Sequence, residues 1–118
     1  MNLNTDKSIL DLNRLLEVYE DDHEGMLELF DLMIKNNRGL LEKLESATTE
    51  HDLEGVRKAS HSMKGSAGNV GATALHALAV SIEDAARDGS WDRLEHSVPL
   101  ARPAFDRLRR EIDLLRSD

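Results

Sequence analysis

From Trp91 to the C-terminus, Trp91, Leu94, Val98, Ala101, Phe105, Leu108, Ile112 and Leu115 recur at alternating steps of three and four residues without a miss. Side chains so spaced lie on one stripe of an α-helix, which takes 3.6 residues per turn, and that stripe has to be buried against other elements. The same spacing recurs upstream. A helix over roughly 22 to 47 carries Met26, Phe30, Met33, Leu40, Leu44 and Ala47. One over roughly 52 to 69 carries Leu53, Val56, Ser60, Met63, Ala67 and Val70, and one over roughly 72 to 87 carries Leu75, Leu78, Ile82 and Ala85. A short opening helix, roughly 8 to 20, places Ile9, Leu12, Leu15, Leu16 and Tyr19 together behind a cap at Thr5 or Asp6. Asp88-Gly89 stops the fourth stripe, Ser90 caps the next helix, and Pro99 and Pro103 are expected to kink or interrupt it. The expected fold is all-α: an antiparallel four-helix bundle with a short additional N-terminal helix, forming one domain over 1–118.

Composition narrows the function. The chain has no cysteine, which excludes disulfide scaffolds, thiolate zinc sites and cysteine nucleophiles. No apolar run is long enough to cross a bilayer, and Met1 to Asp6 lacks a secretory pattern, so a cytoplasmic location is expected, with no membrane partner. A formal net charge of −8 argues against nucleic acid and for protein partners. The starting Met and the lack of a kinase region suggest a free-standing module, expected to be a monomer.

Of the five histidines, none forms a recognised zinc motif, and no nucleophile elbow or phosphate-binding glycine loop is present. No metal and no cofactor are expected. His61 differs from the other histidines. Counted at about 100° per residue it lies roughly 130° from its helix's apolar direction, so its ring faces solvent. Lys64 at i+3 and Gly65 at i+4 share its face, and Gly68 follows one turn later. A glycine within a helix costs about 1 kcal/mol relative to alanine, so Gly65 and Gly68 suggest close approach of something bulky. A neutral imidazole can attack phosphorus, and an ammonium one turn away can attract phosphoryl oxygens. The plainer alternative is a frayed helix end with Lys64 as a favourable cation.

Charge placement adds a second signal. Residues 55 to 82 contain no Asp or Glu, although a uniform spread of the 23 acids would place about five there. Arg57, Lys58 and Lys64 remain, which predicts a locally positive docking face around His61, with Arg57, Lys58 and Gly68 as partner-binding residues. The competing explanation is that the alanine-rich fourth helix is simply short of charge.

The stretch Ser60-His61-Ser62-Met63-Lys64-Gly65-Ser66-Ala67-Gly68-Asn69-Val70-Gly71-Ala72 resembles the motif of the histidine-containing phosphotransfer (HPt) domains of bacterial phosphorelays, Ala-His-x-Leu-Lys-Gly-Ser-Ser/Ala-x-Asn-Leu-Gly-Ala. Ser60 replaces a common Ala, Met63 and Val70 are conservative changes, and Gly68 stands where Ala is usual. The likeness extends to the helix order over nearly the whole chain. It implies that His61 takes a phosphoryl group from a receiver-domain aspartate and passes it to the aspartate of another receiver. Lys64 would balance phosphoryl charge and Gly65 would admit the receiver's loops. The implied partners are response-regulator receiver domains and a hybrid sensor kinase. The resemblance implies no ATP-dependent kinase activity, and any Mg²⁺ belongs to the receiver. Two other readings remain: a helical adaptor that binds a receiver or kinase without being phosphorylated, and a metal-dependent helical enzyme. The second would need carboxylates in the bundle core, and the apolar stripes supply none.

Overall fold

Three helix starts in the computed structural model, which describes residues 1–116, are set by short polar side chains. Asp22 accepts from the Gly25 amide at 2.9 Å, Asp52 from Gly55 at 3.0 Å and Ser90 from Arg93 at 3.3 Å, each satisfying a donor that the helix itself cannot. The helices are α1 (Asn13–Tyr19), α2 (His23–Thr49), α3 (Leu53–Asn69), α4 (Thr73–Arg87), α5 (Trp91–Ser97) and α6 (Ala101–Leu115). The last two are joined by a single 3₁₀ turn, Val98–Leu100. Pro99 lies inside that turn, so the expected interruption falls where the missing amide removes a helical hydrogen bond, while the apolar stripe continues through it from Leu94 through Val98 to Ala101.

Three-residue links join α2 to α3, α3 to α4 and α4 to α5, which makes successive helices antiparallel neighbours. The α3–α4 pairing is the most extensive, α2 packs on α3, and α6 returns against both α4 and α2 to close the bundle. Phe30, Phe105, Met26, Leu41, Leu44, Met63, Leu75, Ile82, Leu94, Leu108 and Ile112 are fully buried at its centre. Each such side chain contributes about 1.5–3 kcal/mol relative to exposure.

Two expectations need correction. On α2 the buried stripe runs through Asn37 and Leu41, with Leu40 only half-buried. Asn37 is tolerated inside because its amide donates to the Met33 carbonyl at 3.0 Å and to Ser66 Oγ at 2.7 Å, tying α2 to α3. The opening helix begins at Asn13, not near residue 8, and neither Thr5 nor Asp6 caps it. Asp6 instead closes a tight turn, accepting from the Ser8 amide and hydroxyl, while Thr5 Oγ1 donates to the Leu10 carbonyl. The segment then binds the α3–α4 link: the Asp11 amide donates to the Gly71 carbonyl at 2.8 Å, and Thr73 Oγ1 donates to the Lys7 carbonyl at 2.7 Å. Ile9, Leu10, Leu12 and Leu15 are buried through this docking, so the N-terminal segment is part of the core.

Candidate functional site

The buried face of α3 is Val56, Ala59, Ser60, Met63 and Ala67. That phase turns His61 outward, and its side chain is 63% exposed. The imidazole is nonetheless held. Its Nδ1 lies 2.5 Å from Oε2 of Glu83 on α4, and the other oxygen of the same carboxylate, Oε1, accepts from Lys64 Nζ at 2.6 Å. His61 and Lys64 are one turn apart on α3, so a single carboxylate bridges one helical turn of its neighbour. Arg87, one turn beyond Glu83 on α4, adds a looser contact at 3.8 Å.

Glu83 is 3% exposed. A carboxylate withdrawn from water to that degree has to be paired and hydrogen-bonded, and here both oxygens are. The Lys64 hydrogen bond, with a further contribution from His61, holds its carboxyl below the ordinary value of 4.5 against the opposing effect of burial. It is therefore ionised at neutral pH. An ionised carboxylate only accepts, so the proton of a neutral His61 ring is placed on Nδ1 and the lone pair on Nε2. Nε2 has no hydrogen-bond partner among the described residues. The arrangement presents a nucleophilic nitrogen to solvent beside an ammonium group.

Glu83 contradicts the expectation that no carboxylate projects inward. The acid-free stretch ends at residue 82, and the residue that closes it is the one that organises the site. Its position one helical turn after Ala79 was the available signal, since Glu83, unlike the adjacent Asp84, falls on the buried stripe, where a single acid must either break the packing or pair across to α3. The positive face is corrected as well. Lys64 is neutralised by Glu83, and Arg57 is engaged by Glu54 through two hydrogen bonds at 3.0 and 2.6 Å. Lys58 is exposed and makes no ion pair or hydrogen bond among the described residues.

The two glycines also part company. A Cβ added at Gly65 would meet nothing within 4 Å, so the surface beside His61 is bare. A Cβ at Gly68 would lie 3.1 Å from Nδ1 of His76, whose ring occupies that space. Gly68 thus has a reason inside the fold. Gly71 is not a frayed end either: its φ is +75°, and a Cβ there would lie 2.0 Å from the Asp11 carbonyl oxygen. Among the described residues no cluster of three or more His, Asp or Glu side chains is placed to hold a metal ion.

The Hpt domain family model matches residues 28–118, a span that includes His61, Lys64 and Glu83. The chain belongs to the Hpt family. Its structure is similar to that of histidine-containing phosphotransfer protein B (HptB) from Pseudomonas aeruginosa PAO1, with a TM-score of 0.79 and 28% sequence identity over 91% of this chain and 93% of that one. A search among curated proteins gives no significant match. Membership of the Hpt family brings a general histidine phosphotransfer role in phosphorelays, and proteins of this family are phosphotransfer carriers rather than kinases. No helix among the described residues of this Hpt protein is long and apolar enough to cross a membrane.

Proposed function

We propose that His61 is the phosphoryl carrier, accepting the group from a receiver-domain phospho-aspartate and donating it to the aspartate of a second receiver. The observation that carries this reading is the exposed imidazole whose Nδ1 is held by buried Glu83 while Nε2 is free. In the forward step the Nε2 lone pair attacks phosphorus, an N–P bond forms, and the P–O bond to the aspartate breaks, returning a carboxylate to the donor. The Nδ1 proton stays on the ring. Phosphorylated at Nε2 and protonated at Nδ1, the ring carries positive charge, which the Glu83 carboxylate stabilises. In the second step a carboxylate oxygen of the acceptor attacks phosphorus, the N–P bond breaks, and its electron pair returns to Nε2. Lys64, 30% exposed, lies near enough to share its charge between Glu83 and the phosphoryl oxygens.

The receiver approaches over Gly65. Gly39 on α2 is the other helical glycine at which an added Cβ would meet nothing within 4 Å, and it lines a groove with Lys43, Ser62 and Ser66. Ser62 and Ser66 are the chain neighbours of His61 and Gly65, and Lys58, one turn before His61, is the exposed cation of α3 free to steer an acidic phosphorylation pocket toward the site. The test is incubation of the parent protein and His61→Gln with a phosphorylated receiver, following acid-labile label. Label on the parent alone is expected. Label retained by folded His61→Gln would overturn the site, and a parent that binds the receiver but takes no label would make it an unphosphorylated adaptor.

A further inference from the structure

His76 sits in α4 two turns before Glu83, on the same face, and the transfer chemistry does not use it. Its Nδ1 lies 3.0 Å from the main-chain carbonyl of Lys64. A carbonyl only accepts, so Nδ1 carries the proton and donates. The ring reaches this carbonyl through the space that Gly68 leaves open, since a Cβ there would stand 3.1 Å from Nδ1 and 3.3 Å from Cε1. Residue 64 is thus gripped by α4 at both ends: its carbonyl by His76 and its ammonium by Glu83.

The buried residues of the two helices mix small side chains, Ala59, Ser60 and Ala67 in α3 and Ala79, Ala85 and Ala86 in α4, with the larger Val56, Met63, Leu75 and Ile82. Apolar contact is non-directional and tolerates a small change in the sliding position of two helices. Yet the bridge from Glu83 to both His61 and Lys64 depends on that position, because a shift of about 1 Å along the axis would take one oxygen out of hydrogen-bond range. We propose that His76, seated on Gly68 and bonded to the Lys64 carbonyl, is a positioning residue that sets the register of α3 on α4 and so holds Glu83 across His61 and Lys64. This rests on His61 as the reactive group, and it adds a residue outside the reacting set.

The test compares the parent with His76→Leu, His76→Asn and Gly68→Ala, singly, and with His76→Leu combined with Gly68→Ala. Two readouts are taken: the His61 Nδ1–H proton signal by NMR of the unphosphorylated protein, and the rate of transfer from a phosphorylated receiver. His76→Leu is expected to fold, to weaken or lose the His61 Nδ1–H signal, and to slow transfer about fivefold, the effect of one neutral hydrogen bond. His76→Asn, whose amide nitrogen occupies the place of Nδ1, restores both. Gly68→Ala sets a methyl group 3.1 Å from Nδ1, which the ring relieves by a shift of a few tenths of an ångström, so it is expected to weaken both readouts less than His76→Leu and to add no further loss in the combined variant. A parent-like His61 signal and transfer rate in His76→Leu would overturn the proposal, as would failure of a folded His76→Asn to restore them. Should His76→Leu not fold, His76→Phe, which keeps a ring and removes the donor, decides by the same two readouts. A parent that accepts no label would count against the function proposed for His61, while the NMR comparison would still decide the role of His76.

Discussion

Glu83 concentrates the site's electrostatics in one side chain, and its replacements separate charge from geometry. Glu83→Gln keeps a carbonyl oxygen for the His61 Nδ1–H but loses the charge-assisted bonds, so transfer is expected to fall about fivefold. Glu83→Ala removes both partners at once. Hydrogen bonds to charged groups contribute about 1.5–3 kcal/mol, so its transfer rate is expected to fall about tenfold to a hundredfold. Stopped-flow or quench-flow transfer assays check both. The pH dependence of stability follows from the same group. Because the folded-state value for Glu83 lies below the ordinary 4.5, its stabilising effect is complete above that value. The effect is lost as pH falls through 4.5 and through the lower folded value. In urea titrations between pH 6 and pH 3 the parent should lose stability relative to Glu83→Gln. Equal slopes for the two proteins would show that the Glu83 carboxyl is not held below its ordinary value in the fold.

At the scale of the element, α3 and the link that follows it carry glycines that neither would need for its own stability, and two substitutions show which serve the fold. Gly65→Gln replaces a poor helix former where an added Cβ meets nothing, so it should stabilise the protein by about 0.5–1 kcal/mol. On the proposed docking over Gly65 transfer should nevertheless drop sharply, because the new side chain would stand in the receiver's path. A stabilised variant with normal transfer would remove the docking role from this surface. Gly71→Ala should do the opposite. Its left-handed φ and the 2.0 Å approach to the Asp11 carbonyl leave no place for a methyl group, and the Asp11–Gly71 hydrogen bond would have to open. A loss of about 2 kcal/mol or more is expected in chemical denaturation, together with faster amide exchange at Asp11.

For the whole molecule, a formal net charge of −8 combines with the absence of Asp and Glu from 55 to 82, a distribution that under the proposed function would steer encounter with a receiver. Lys58→Glu should slow receiver association at low ionic strength, with the deficit shrinking toward physiological salt, where charges are screened beyond about 8 Å. Arg57→Glu should matter less in the same stopped-flow measurement, because Glu54 already engages Arg57. Equal rates for the parent and Lys58→Glu at low salt would show that steering comes from elsewhere on the surface.

The helical stripes, the cap at Ser90, the break at Pro99 and the outward turn of His61 were all legible in the chain, because each depends on residues within one or two turns of each other. The family motif was legible for the same reason, being one continuous run from Ser60 to Ala72. What local pattern could not reveal are the contacts across α3 and α4. Glu83 reaches His61 over 22 residues of chain, His76 reaches the Lys64 carbonyl over 12, and residues 6–12 give up a helical turn to bind the α3–α4 link. Periodicity reports which side of a helix is buried, but not which residue of the next helix lies opposite it. That register is decided only when the helices pack, and it is there that a lone acid becomes the anchor of an imidazole.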